Sequence, residues 1–228
     1  MSRLLTDFLK SLSVHPVIAP SIPYNDYTYL DLSISNKELE TVDVSSAEAI
    51  QAYIDVLLEK HNAKVAFGGY NETRGIYARS GYFNENNPET ERNIHLGLDL
   101  WIAEGTSVHT PLDAEVHSFS NNTNFGDYGP TIILKHMIEN HTFYTLYGHL
   151  SLQSLQHLKV GQKFSKGQQI ATLGLPHENG NYAPHLHFQI IQDIQDYYGD
   201  YPGVSSKKNL PFYSENCPDP NFLLGINI

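Results

Sequence analysis

One cysteine, Cys217, stands alone among 228 residues, which excludes an intrachain disulfide and fits a reducing compartment. Cations are scarce as well: 14 Lys and Arg against 25 Asp and Glu give a formal net charge of −11. Phosphate backbones are held by clustered Lys and Arg, so this balance argues against nucleic acid as a partner. The same sign works against docking on an anionic membrane or cell wall. No apolar run approaches the ~20 residues of a membrane span. Asp7 and Lys10 interrupt the one N-terminal stretch that would have to serve as a signal peptide, and it reads better as a short amphipathic helix. The expectation is a cytoplasmic protein with neither membrane nor nucleic acid as partner.

Aromatics are plentiful, with 15 Tyr and 10 Phe, which favours strands over a helical bundle. Two regions emerge. Residues 1–64 read as a mixed α/β extension: a leading helix, a Pro-rich stretch from His15 to Tyr24, a strand near Tyr27–Ser35, and a longer helix. Ser45 and Glu48 stand at capping-box spacing before that helix, Ile50, Tyr53, Ile54, Leu57 and Leu58 recur at helical intervals, and Asn62 supplies a stop. So short an extension has no partner of its own for this stripe, which is expected to pack on the second region. From residue 65 to 228 the texture changes to short alternating runs separated by turns. The expected strands are Val65–Gly68, His95–Ile102, Ser107–His109, Ala114–Asn121, Thr131–His136, Thr142–Leu150, Lys163–Phe164, Gln169–Leu173 and His185–Ile191. Close-spaced strands without intervening helices point to a mainly β, compact antiparallel sheet or sandwich. The tail from Tyr197 reads as loop, with Pro202, Pro211, Pro218 and Pro220.

Twelve histidines exceed ordinary usage, and the informative ones share strand faces. Side chains alternate along a strand, so His185, His187 and Gln189 face one way while Leu186, Phe188 and Ile190 face the core. Two imidazoles about 7 Å apart on one strand can address a single small site. His95, Gly97 and Asp99 likewise share a face opposite Leu96, Leu98 and Leu100, and Gly97 leaves space in which a metal would fit. A third strand ends at Gly148-His149. Two histidines and a carboxylate, with a position left for water, are the ligand set of a catalytic zinc site. Spacing alone leaves two readings open, a metal site or a stack of buried polar residues.

His95-Leu96-Gly97-Leu98-Asp99, then Tyr147-Gly148-His149, then Pro184-His185-Leu186-His187-Phe188, in this order, resemble the lysostaphin-type zinc metallopeptidases. The connecting blocks Gly105–Val108, Asp113–Val116, Val160–Lys163 and Lys166–Gly174 are similar too, and the likeness runs from about residue 93 to 191. The resemblance implies a compact antiparallel β fold with a groove, spanning 65–228, and Zn²⁺ as cofactor. It implies His95, Asp99 and His187 as metal ligands, His185 as general base towards the attacking water, and His149 as orienting that water or stabilising the tetrahedral intermediate. The substrate implied is a peptide. The wording around Asp127–Pro130, Phe143–His149 and Asn179–His185 is similar to an intracellular branch fused to phosphotransferase and aminotransferase domains. The absence of a visible export signal and the acidic balance set this chain apart from wall-cleaving members. Two further readings follow, a zinc hydrolase acting on a small non-peptide amide and a non-catalytic binding module on the same fold.

Among secondary candidates, Tyr70, Asn71, Arg74 and Tyr77 read either as a groove wall, with Arg74 binding a substrate carboxylate, or as a solvated loop with satisfied polar groups. His109, His117, His136, His141, His157 and His177 read as surface or structural, Trp101 as core or groove wall, and Cys217 as no nucleophile.

Overall fold

The computed structural model describes residues 3–81, 83, 87 and 89–226. In chain order its elements are α1 (Arg3–Ser11), β1 (Tyr27–Tyr29), α2 (Ala47–His61), β2 (Val65–Gly68), β3 (Arg92–His95) and β4 (Leu98–Trp101). Next come β5 (Ser107–His109), β6 (Ala114–Asn122), β7 (Gly129–Ile138) and β8 (His141–Gly148). The chain ends with β9 (Lys163–Phe164), β10 (Gln169–Thr172), β11 (His185–Ile191), β12 (Val204–Ser206), α3 (Leu210–Asn216) and α4 (Asn221–Leu224). The fold is mainly β. Eight strands form one sheet in the order β1-β2-β4-β11-β8-β7-β6-β9, and two ribbons, β10-β5 and β12-β3, stand outside it. All pairs are antiparallel except β1 with β2, where Tyr27–Tyr29 runs parallel to Val65–Phe67.

The sheet is built around β11, which pairs with β4 on one side and β8 on the other. Its alternation follows the period of two: Leu186, Phe188 and Ile190 enter the main core cluster with Leu98, Leu100, Ile132, Leu134 and Tyr147. His185, His187 and Gln189 face the other way and are buried too.

The expected strand His95–Ile102 is in fact two. β3 leaves the large sheet to pair with β12, and Leu96-Gly97 carries no strand. As a result Leu96 does not join Leu98 and Leu100 but packs with Tyr128, Ile133, Leu146 and Tyr201 in a second cluster. The tail is also more ordered than loop: it supplies β12, α3 and α4. Pro211 occupies the first turn of α3, where its missing N–H has no intrahelical partner to lose, and Pro220 is the cap of α4.

Residues of the leader join the cores of the later strands. Leu5 and Leu9 of α1 belong to the main cluster. Ile50 and Ile54 of α2 pack with Leu30, Leu32, Trp101 and Ala183. The cap of α2 is Ser46 rather than Ser45: its hydroxyl accepts from the Ala49 amide at 3.2 Å. Asn62 ends the helix with φ 49°, the left-handed conformation that asparagine tolerates. No described helix is long and apolar enough to cross a membrane.

Candidate metal centre

β4 and β11 lie in register with His187 opposite Asp99, which sets a carboxylate beside an imidazole. His95 arrives from the end of β3, carried back over the sheet by the break at Leu96-Gly97. The three converge closely. His95 Nε2 lies 2.8 Å from His187 Nδ1, and both lie near Asp99 Oδ1, at 3.2 and 3.1 Å. All three residues are buried. The space at Gly97 is not where these atoms meet: the His187 ring fills it, and a Cβ on Gly97 would stand 2.6 Å from His187 Nε2. The glycine serves the close approach of the His187 side chain, not a metal directly.

Every histidine of the site has a partner on its outer nitrogen, which fixes its tautomer. His95 Nδ1 donates to Gly69 O at 2.9 Å. His187 Nε2 donates to Gln189 Oε1 at 3.0 Å. The Gln189 amide is oriented by its other end, which donates to Pro202 O and to the Cys217 sulfur. His185 Nδ1 donates to Ala183 O at 2.7 Å and His149 Nδ1 to Asn179 O at 2.6 Å. The inner nitrogens of His95 and His187 are therefore bare acceptors.

His185 and His149 stand beside this triad. His185 Nε2 is 4.0 Å from Asp99 Oδ1, and the rings of His149 and His185 are 4.2 Å apart. His149 follows the end of β8 with φ 61°, an uncommon conformation for a residue with a side chain. Trp101 stacks on His185 at 5.3 Å, so it is both core and wall. All five residues singled out from the sequence thus line one cavity of about 170 Å³.

Burial dominates the electrostatics. It lowers His95 to about 4, with Arg74 adding to the effect, and it lowers His149 and His185 as well. Burial would raise the Asp99 carboxyl, but His95 and Arg74 overcome it and hold the group well below the usual range.

Arg74 is buried at the cavity wall and bonded through Nε to Glu72 and through Nη1 to Asp99, while Nη2 has no hydrogen-bond partner. Tyr77 lines the cavity, whereas the Tyr70 hydroxyl donates to Cys217 O. Cys217 is buried, and burial pushes its thiol up to about 12, which suits no nucleophile. His136 is wholly buried, between Asp113 O and Thr145 Oγ1, and is structural. Sequence reasoning missed Tyr128 and Tyr182. The Tyr128 ring lies 5.0 Å from that of His187, and Tyr182 meets His149 edge-on at 4.9 Å. Neither carries a pattern of its own, since both sit in irregular segments between strands.

No curated protein sequence matches the chain. Among solved structures, it is similar to the catalytic domain of lysostaphin from Staphylococcus simulans, at 24% identity and a TM-score of 0.37, covering 54% of this chain and 80% of that one. It is also similar to a zinc-containing peptidase from Vibrio cholerae, at 29% identity and a TM-score of 0.34, covering 46% of this chain and 31% of that one. The model of peptidase family M23 matches residues 93–198, a span that holds His95, Asp99, His149, His185 and His187. Over residues 93–198, then, the chain is similar to peptidase family M23.

Proposed function

We propose that the protein is a zinc-dependent peptidase, with His95, Asp99 and His187 holding the metal and His185 and His149 handling protons. One observation carries the metal reading: two ring nitrogens and a carboxylate oxygen converge on one point. His95 Nε2, His187 Nδ1 and Asp99 Oδ1 lie 2.8–3.2 Å apart, and the ring protons are committed to Gly69 O and Gln189 Oε1. Acceptors this close repel one another unless a cation lies among them. Adding a proton instead is opposed for His95 by its burial. Two imidazoles and a carboxylate fit zinc, and the described residues offer no second cluster of this kind. When bound, zinc supplies a Lewis acid for the scissile carbonyl and lowers the pKa of an attacking water towards ~7.

The chain's own residues do the rest. His185 is neutral at pH 7 because burial disfavours its charge. Its Nδ1 is engaged with Ala183 O, so Nε2 is the nitrogen that takes a proton from the attacking water. His149 has the same arrangement against Asn179 O. It accepts a hydrogen bond from that water through Nε2 and so orients it for attack. Trp101, stacked on His185, keeps the base in place.

Elemental analysis of protein purified without added metal tests the ligand set. One zinc per chain is expected, and none in His95→Ala or Asp99→Ala; stoichiometric zinc in His95→Ala would remove the assignment. The likeness to a peptidase family favours a short peptide as substrate, and a small non-peptide amide is the second reading. The net charge of −11 disfavours an anionic polymer. Zinc-loaded protein is therefore expected to cleave short glycine- or alanine-containing peptides faster than intact sacculi. The reverse order would make it a wall hydrolase.

A further inference from the structure

Beside Asp99 lies a buried ion network that the proton chemistry above does not use. Arg74 is 5% exposed and Glu72 8%, far below what unpaired charges tolerate. Arg74 Nε donates to Glu72 Oε2, and Nη1 donates to Asp99 Oδ2 at 2.6 Å. Glu72 accepts from the Leu32 amide with its other oxygen, at 3.1 Å. The network therefore runs from the backbone of the leader to a residue of the metal centre. Backbone bonds lock the segment to β3: Arg74 N donates to Asn93 O and His95 N to Glu72 O, both at 2.9 Å. Gly69, at φ 103°, lets the chain close over the guanidinium, since a Cβ there would collide with Arg74 Nη2.

A carboxylate can offer a metal one oxygen or two. Here the two oxygens of Asp99 are already divided. Oδ2 accepts from Arg74, while Oδ1 faces His95 Nε2 and His187 Nδ1. We propose that Arg74 is a positioning residue that commits Asp99 to the metal through Oδ1 alone, held in place by Glu72 and, through it, by the leader. The inference rests on the zinc reading above.

Two effects oppose each other. The guanidinium charge repels a divalent cation, which weakens binding, while the fixed carboxylate needs no reorganisation, which strengthens it. Losing an outer partner of a metal ligand usually costs about 10–100-fold in affinity, so positioning is expected to prevail. Lysine cannot replace Arg74: a compact ammonium lacks the planar fork that spans Glu72 and Asp99 together. Removing Arg74 alone would leave Glu72 buried and unpaired, so the companion variant is Glu72→Gln/Arg74→Met, in which glutamine still accepts from Leu32 N.

The test uses the full chain and two readouts besides activity. Zinc affinity is measured by competition with a chromophoric chelator. The visible spectrum of the cobalt(II)-loaded protein reports coordination number, because four-coordinate cobalt absorbs more strongly than five-coordinate cobalt. Both Arg74→Lys and Glu72→Gln/Arg74→Met are expected to bind zinc about 10–100-fold more weakly than the unaltered chain. The double variant is also expected to lose cobalt band intensity as Oδ2 becomes free to join the metal. A merely structural arginine would lower the melting temperature of the metal-free protein and leave the cobalt spectrum unchanged, which would overturn the inference. Unchanged zinc affinity in both variants would overturn it as well, with the metal site itself intact. If the unaltered chain takes up neither zinc nor cobalt, the metal reading falls first and this inference with it.

Discussion

Gly97→Ala is the smallest change that the structure expects to damage the metal centre from outside it. Gly97 is absent from the residues of positive φ, so alanine meets no backbone strain there. The obstacle is the His187 ring: the added methyl would lie 2.6 Å from Nε2 and 3.0 Å from Nδ1. Ordinary contact begins near 3.5 Å and Cε1 is closer still, so the ring must retreat by about 1 Å. Its far side is occupied. Nε2 holds Gln189 Oε1 at 3.0 Å, and the Tyr128 ring lies 5.0 Å away. A retreat of about 1 Å breaks a bond of that length and withdraws Nδ1 from His95 and Asp99. Overpacking of this kind costs about 1–3 kcal/mol. For 228 residues that corresponds to a fall of about 2–12 °C in the melting temperature of the metal-free protein. The effect on metal is larger. Displacing a direct ligand should exceed the 10–100-fold typical of an outer partner, so zinc affinity is expected to fall at least ~100-fold. Chelator competition and melting curves with and without chelator measure both effects. Full zinc occupancy at unaltered affinity in Gly97→Ala would refute the role given to His187.

Three other outcomes are expected. His185→Ala should keep its zinc and lose about 10²–10⁴-fold in turnover, the range for a missing general base, as steady-state kinetics with metal analysis will show; metal loss would make it a ligand instead. Truncation before Val65 should lower the melting temperature or solubility, because Ile50, Ile54, Leu5 and Leu9 are buried against later strands; a soluble product with an unchanged melting temperature would refute this. Burial lowers the folded-state pKa of His136 to about 4, so the unfolded chain binds the extra proton as pH falls. Its contribution to stability is full above about pH 6.5 and disappears progressively down to about pH 4, costing about 3 kcal/mol in all. Urea melts across that range should show a shallower slope for His136→Gln, and an unchanged slope would place the buried proton uptake elsewhere.

Much of the site was legible because ligand spacing and strand period are both local. The alternation of His185, His187 and Gln189 against Leu186, Phe188 and Ile190 needs only the geometry of an extended chain. The same holds for the helix over Ile50–Leu58 and for the four strands whose bounds were read without error, Val65–Gly68, Ser107–His109, Lys163–Phe164 and His185–Ile191. Arg74 stands at the groove, as its place in the sequence suggests, but its ion pairs are not legible there. Its charge pointed to a substrate, but nothing local reveals that Asp99, 25 positions later, folds back onto it.

What the sequence by itself determined is therefore the mainly β texture, the order of the motifs, and the five side chains that meet at one cavity. Tertiary structure alone decided how they meet. The run from His95 to Trp101 alternates well enough for one strand, yet β3 turns away because its partner, β12, comes from a tail more than 100 residues later. That turn lets His95 reach back across Gly97 to His187. The tautomer of His187 is set by Gln189, whose amide is set in turn by Pro202 O and Cys217 Sγ. Propensity is a property of neighbours along the chain, whereas pairing, burial and proton placement depend on residues brought close only by the finished fold.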